Sequence, residues 1–245
     1  MAKRIKNAAS MKELDNRLEA ERELRFSIKE EIKLKPNQEA YLNAIKKNTI
    51  TICTGPAGTA KTFIGCMAGL QLLKENKISR IVTVKPIKES GEEIGFLPGD
   101  VDKKIDPYFE SFITNFVKLL GPGMDVATLI KRKLIETRPV SYMRGISLDN
   151  CLIFLDEAQN LEIKSLMLLV TRLGHNSKMI ISGDITQYDI KRKDVVLHDF
   201  INMVNGIESI GHFEFHREDI VRNKLLIAIT DKYDEYRESG RIKLS

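Results

Sequence analysis

The stretch Thr54-Gly55-Pro56-Ala57-Gly58-Thr59-Ala60-Lys61-Thr62 lies between the apolar run Ile50-Thr51-Ile52-Cys53 and a mostly apolar segment from Phe63 to Leu73. A glycine-rich turn joining a buried strand to a helix constrains the fold to a layered α/β arrangement more tightly than any other feature of the chain. Glycines let the backbone come close to an anion, the N–H groups at the start of the following helix point at it, and a lysine adds a full positive charge. The loop is a candidate phosphate cradle: Gly55, Pro56, Ala57, Gly58, Thr59, Ala60 and Lys61 are its contacts and the Thr62 hydroxyl is a candidate magnesium ligand. One residue departs from the usual pattern, because Ala60 stands where a glycine normally precedes the lysine. Alanine there costs about 1–2 kcal/mol if the backbone is left-handed, and almost nothing if it already has helical dihedrals.

A second run, Cys151-Leu152-Ile153-Phe154-Leu155, ends in Asp156-Glu157-Ala158-Gln159-Asn160. A continuous apolar strand is buried on both faces and delivers its acids at the C-terminal edge of a parallel sheet, where ligands bind. Asp156 is suited to hold magnesium and Glu157 to polarise an attacking water; the plainer alternative is that the acids cap the next helix. A third run, Met179-Ile180-Ile181-Ser182, leads into Gly183-Asp184-Ile185-Thr186-Gln187. Gln187 is placed to sense the terminal phosphate or orient water, against the alternative of a capping loop with Asp184 as the cap.

The length of 245 residues fits one large α/β domain with attachments. Lys plus Arg total 39 against 34 acids, a net charge of +5, a balance that permits phosphate or nucleic-acid contacts without requiring them. The sequence has no run of eighteen apolar residues and no signal-peptide pattern, so a cytoplasmic protein without membrane contact is expected. Cys53, Cys66 and Cys151 fall in apolar segments without metal-ligand spacing and read as reduced core residues.

Residues 1–34 are dense in both charge signs, with Leu14, Leu18 and Leu24 spaced along one helical face, and read as a helical N-terminal extension. The domain proper is expected over 35–245. Asn37 is a possible helix cap, followed by an apolar face of Ala40, Tyr41, Ala44 and Ile45. Ile81-Val82-Thr83-Val84 is a further strand, with Lys85-Pro86 at its tip. An insertion over about 87–148 contains two expected helices, Pro107 to Leu120 and Asp125 to Glu136. Phe213-Glu214-Phe215 alternates like a strand, and Asp219 to Tyr236 reads as a closing helix.

Taken together, these motifs resemble the PhoH family of P-loop ATPases, which is similar in turn to the first RecA-like domain of superfamily 1 helicases. The resemblance rests on the phosphate loop, Gly95-Phe96-Leu97-Pro98-Gly99-Asp100, Ser141-Tyr142-Met143-Arg144-Gly145, Asp156-Glu157-Ala158-Gln159-Asn160, Thr171-Arg172-Leu173-Gly174, Gly183-Asp184-Ile185-Thr186-Gln187 and Asp219-Ile220-Val221-Arg222. It implies a P-loop NTPase fold with a RecA-like, mostly parallel sheet flanked by helices, and ATP with Mg2+ as cofactors. It makes Gln38 the counterpart of an adenine-reading glutamine, and Lys61, Thr62, Asp156, Glu157 and Gln187 the nucleotide machinery. Lys85 departs from an arginine in the family pattern and loses the bidentate fork.

A complete helicase motor brings an arginine to the terminal phosphate from a second RecA-like domain, and too little chain follows Gln187 for one. Either the chain only binds nucleotide, or the arginine comes from a neighbouring copy, with Arg222 preferred over Arg217, Arg172 and Arg144; supply from a neighbour implies a closed ring, expected to be a hexamer. Two functions fit. One is ATP hydrolysis coupled to RNA or single-stranded nucleic acid, with Lys88, Lys103, Lys104, Lys131, Arg132 and Lys133 as basic contacts. The other is a nucleotide-dependent oligomeric switch that recruits a protein partner such as a separately encoded nuclease.

Overall fold

The computed structural model describes residues 26–86, 101–184, 194–221 and 224–239. The four expected apolar runs become strands β1 (Ile50–Thr54), β2 (Arg80–Lys85), β4 (Cys151–Leu155) and β5 (Lys178–Gly183), and the alternating stretch expected at Phe213–Phe215 overlaps β6 (Ile210–Glu214), which starts earlier and stops before Phe215. A sixth, β3 (Ile135–Pro139), comes from a segment whose pattern reads as helix. They form one sheet in the order β3-β2-β4-β5-β1-β6, parallel at every pairing. Every residue of β1 and β4 is buried, as strands covered on both faces require.

The helices are α1 (Pro36–Lys47), α2 (Lys61–Lys74), α3 (Val101–Leu119), α4 (Val126–Lys131), α5 (Ile163–Val170), α6 (Asp194–Val204) and α7 (Lys224–Glu238). Successive strand residues point to opposite faces, so β4 divides its side chains between two cores. Leu152 and Phe154 join Tyr41 of α1, Ile64 and Leu70 of α2, and Phe109, Phe112 and Phe116 of α3. Ile153 and Leu155 join Leu166 and Leu169 of α5 with Leu197 and Phe200 of α6. Helix α2 lies close on the sheet because Gly65 and Gly69, one turn apart, face it. A Cβ at Gly65 would stand 2.3 Å from the Phe154 ring, and one at Gly69 would stand 2.9 Å from Ile81. Phe154 in turn meets Phe112 edge to face, with centroids 5.1 Å apart.

Four local expectations are corrected. The helix expected from Asp125 to Glu136 stops at Lys131; Lys133 turns left-handed at φ 58°, and the chain enters β3 beside β2. Glu136 and Arg138 are polar on this edge strand and bond each other at 2.6 Å, and Arg80 adds a second contact to Glu136 at 3.3 Å. Helix α3 begins at Val101 and carries Pro107 inside it. Lys35, not Asn37, caps α1; Pro36 takes the first helical position, and Leu42 rather than Ala40 completes the buried face. The closing helix starts at Lys224, because Arg217–Asp219 form a 3-10 turn.

The stretch read as an insertion supplies α3, α4 and β3, all built into the sheet or its cover. On the other side of the expected boundary at residue 35, Phe26 is buried in the core and Ile28, Ile32 and Leu34 pack against it. Leu14, Leu18 and Leu24 lie outside the described residues, as do Gly95-Phe96-Leu97-Pro98-Gly99-Asp100 and Lys88. The three cysteines are free and buried, and no helix among the described residues is long and apolar enough to cross a membrane.

Candidate functional site

The tips of β1, β4 and β5 stand side by side, with β5 between the phosphate loop and the acids of β4. Gly55 leaves β1 at φ 137°, so close to β6 that a Cβ would meet the Phe215 carbonyl oxygen at 2.5 Å; only glycine fits there. Gly58 also takes a positive φ, of 89°. Ala60 caps α2 at φ 72°, ψ 24°, so the left-handed alternative holds and alanine carries strain there. Thr59, fully buried, donates its hydroxyl to the Pro56 carbonyl at 3.1 Å. Lys61 Nζ donates to the carbonyls of Gly55 at 2.5 Å and Pro56 at 2.9 Å, closing the loop over its own ammonium group.

Thr62 in the first turn of α2 donates its hydroxyl to Asp156 Oδ2 at 3.0 Å. Asp156 is buried, and its N–H bonds the Val84 carbonyl at 3.0 Å, which extends the β4–β2 ladder by one residue and fixes the carboxylate. A hydroxyl in the first turn of α2 and a carboxylate at the tip of β4, bonded to each other, suit magnesium, which prefers oxygen, binds few protein ligands and keeps water and substrate phosphates in its shell. Among the described residues no group of three or more His, Cys, Asp or Glu side chains could hold a metal alone. Glu157 follows at φ 59°, ψ 37°, partly exposed, and its Oε2 accepts a 2.7 Å hydrogen bond from Gln159 Nε2.

Gln38 is buried, and its Oε1 accepts the Lys35 N–H at 3.0 Å, which holds the amide at the start of α1. The neighbouring Asn37 Nδ2 donates to Asp219 Oδ1 at 2.7 Å, while Asp219 Oδ2 accepts the His216 N–H at 2.9 Å. Two residues on, the Val221 N–H bonds the Gly58 carbonyl at 3.0 Å. The strap after β6 thus ties the start of α1 to the phosphate loop. Sequence reasoning gave Asp219, Asn37 and Gln159 no such roles; a buried acid inside a short motif was the available signal for Asp219.

The remaining candidates separate. Gln187 and Arg222 lie outside the described residues. Arg172 is held within its own chain, donating to the carbonyls of Leu168 and Ile146 at 3.1 Å each. Arg217 pairs with Asp231 at 2.8 Å, whereas Arg144 is exposed. Lys85 turns onto α3, donating to Ser111 Oγ at 2.9 Å with its ammonium 5.6 Å from the centre of the Phe112 ring. Beneath the loop, burial pushes the Cys53 thiol up to about 12, so no thiolate forms there at neutral pH.

Residues 31–234 match the family model described as PhoH-like protein. The chain belongs to the PhoH-like family. It is 38% identical over 199 residues to the PhoH-like protein of Bacillus subtilis (strain 168), covering 81% of this chain and 62% of that one. It is 35% identical over 187 residues to Protein PhoH of Escherichia coli (strain K12), covering 76% of this chain and 53% of that one. It therefore spans less than two thirds of these PhoH relatives. Among solved structures, a large terminase from a thermophilic bacteriophage aligns with a TM-score of 0.52 at 10% identity, over 82% of this chain and 50% of that one. The same terminase in complex with ADP aligns at 0.50 and 12% identity, over 82% and 49%. At such identities the likeness concerns the fold, which is the RecA-like P-loop NTPase fold expected of a PhoH domain.

Proposed function

We propose that this chain binds ATP with magnesium and hydrolyses it, and that turnover is coupled to remodelling RNA or single-stranded nucleic acid. The Thr62–Asp156 hydrogen bond carries the reading, because it joins the phosphate loop to the acid strand at one point. The loop from Gly55 to Lys61 cradles the phosphates through the backbone N–H groups of its residues other than Pro56, and Lys61 leaves the loop carbonyls to meet the β- and γ-phosphate charge. Thr62 and Asp156 would hold the magnesium, which neutralises phosphate charge when bound. Glu157 accepts a proton from the attacking water, and Gln38 reads the base. An arginine from a second copy completes the site in a hexameric ring in the cytoplasm, with Arg222 or the exposed Arg144 as the donor.

A second reading shares the site: a nucleotide-driven switch that assembles with a protein such as a separately encoded nuclease. Helix α7 supports it, since Leu225 is 64% exposed and Ile229, one turn on, is 56% exposed. ATPase rates with and without magnesium, and with RNA, single-stranded DNA or duplex DNA at two salt concentrations, decide between the two. Magnesium-dependent turnover that a single strand stimulates, less so at high salt, fits the first. Turnover indifferent to every polymer leaves the switch, and no turnover under any condition removes hydrolysis.

A further inference from the structure

Gln159 is buried two residues beyond Glu157, and both ends of its amide are engaged. Nε2 donates to Glu157 Oε2 at 2.7 Å, and Oε1 accepts the Asp184 N–H, on the tip of β5, at 3.1 Å. Gly183 makes the room for this: a Cβ there would stand 3.0 Å from Gln159 Oε1 and 2.7 Å from Leu197. The glycine of the Gly183-Asp184 pair thus leaves room for Leu197 of α6 on one side and the Gln159 amide on the other. Glu157 itself sits in a left-handed conformation, at φ 59°, that needs surrounding contacts to persist.

On the reading that Glu157 is the base for ATP hydrolysis, we propose that Gln159 is a positioning residue that holds the Glu157 carboxylate to the tip of β5. Any shift of the backbone at Asp184 then changes the aim of the base without touching the phosphate loop. An amide suits this task because it donates to the carboxylate and accepts from the backbone at once, which neither leucine nor glutamate does.

The test compares wild type, Gln159→Leu, Gly183→Ala, Glu157→Gln and the double variant Gln159→Leu/Glu157→Gln. Fluorescent ATP-analogue binding, melting temperature and single-turnover hydrolysis are measured for each. Gln159→Leu is expected to lower kcat about 10- to 100-fold, the usual scale for loss of a supporting partner, with nucleotide affinity within about twofold of wild type. Gly183→Ala, which crowds Leu197 as well as the amide, should lower kcat in the same direction, and its melting temperature reports the Leu197 share. In the Glu157→Gln background, Gln159→Leu should cost nothing further, because a residue acting through Glu157 is not additive with its loss. The idea is overturned if Gln159→Leu turns over within twofold of wild type, if affinity falls in parallel with kcat, or if the double variant loses the product of the two single effects. A wild type that binds the analogue without hydrolysis overturns the ATPase reading and the positioning role together, whereas a failed Gln159→Leu with active wild type removes only the latter.

Discussion

Thr62 Oγ1 and Asp156 Oδ2 are bonded at 3.0 Å although 94 positions separate them in the chain, so the first turn of α2 and the tip of β4 meet on one oxygen pair. Replacing Asp156 with Asn keeps the shape and removes the charge. The magnesium concentration for half-maximal ATPase should rise by at least about tenfold, the lower end of what supporting partners of a metal contribute. A magnesium titration of turnover reads this directly; an unchanged midpoint would separate Asp156 from the metal.

Glu157→Gln should retain nucleotide affinity and lose about 10²- to 10⁴-fold in turnover. The amide oxygen placed there still accepts from Gln159, so local geometry survives while proton acceptance does not. Equilibrium binding of ATP together with a single-turnover assay checks both halves. Normal turnover in this variant would transfer the role of base elsewhere.

Ala60→Gly should stabilise the chain. Relief of about 1–2 kcal/mol at φ 72° is partly offset by the greater freedom of glycine in the unfolded state, which leaves a net gain of about 0.5–1 kcal/mol. Urea unfolding with a shared slope measures it, and a loss of stability would mean that the alanine methyl makes contacts that outweigh the strain.

His212 on β6 shares a 2.8 Å hydrogen bond between its Nε2 and the Thr54 hydroxyl, one residue before Gly55. Burial of the ring holds its pKa below the ordinary 6.5, with Glu214 opposing in part. The unfolded chain therefore binds the proton more readily, so this contribution is complete above about 6.5 and is lost as pH falls through that value toward the lower folded pKa. Unfolding midpoints at pH 7.5 and 5.5 should differ less in His212→Gln than in wild type; equal pH dependence rejects the assignment.

The phosphate loop was legible because its information is local: strand pattern, glycines, lysine and hydroxyl follow one another between Ile50 and Thr62. The same holds for β4 with Asp156 and Glu157. Strand β3 was not legible, since Glu136 and Arg138 are polar and only the ladder to β2 makes that stretch extended. The stretch from about 87 to 148 reads as an insertion for a related reason: within it, the aromatic face of α3 has meaning only against Phe154. The backbone at Ala60 had two permissible states, and the approach to the Lys61 helix selected the strained one. Gln159 was visible in its motif without a role, because its second partner belongs to another strand and depends on the bare Gly183.

Strand β1 pairs on one side with β5, Ile50 opposite Met179, and on the other with β6, Ile50 opposite Ile210. Both neighbours are made long after it when the polypeptide emerges from its N-terminal end. The loop carried on β1 is thus made before both of its neighbours and enclosed only once they pair with it, and closing those distant pairings is an entropic barrier that local helix formation does not face. A nascent chain shorter than about the Val221 contact with Gly58 has no finished phosphate cradle. On the proposed reading, nucleotide affinity then marks a chain made and folded at least as far as Val221.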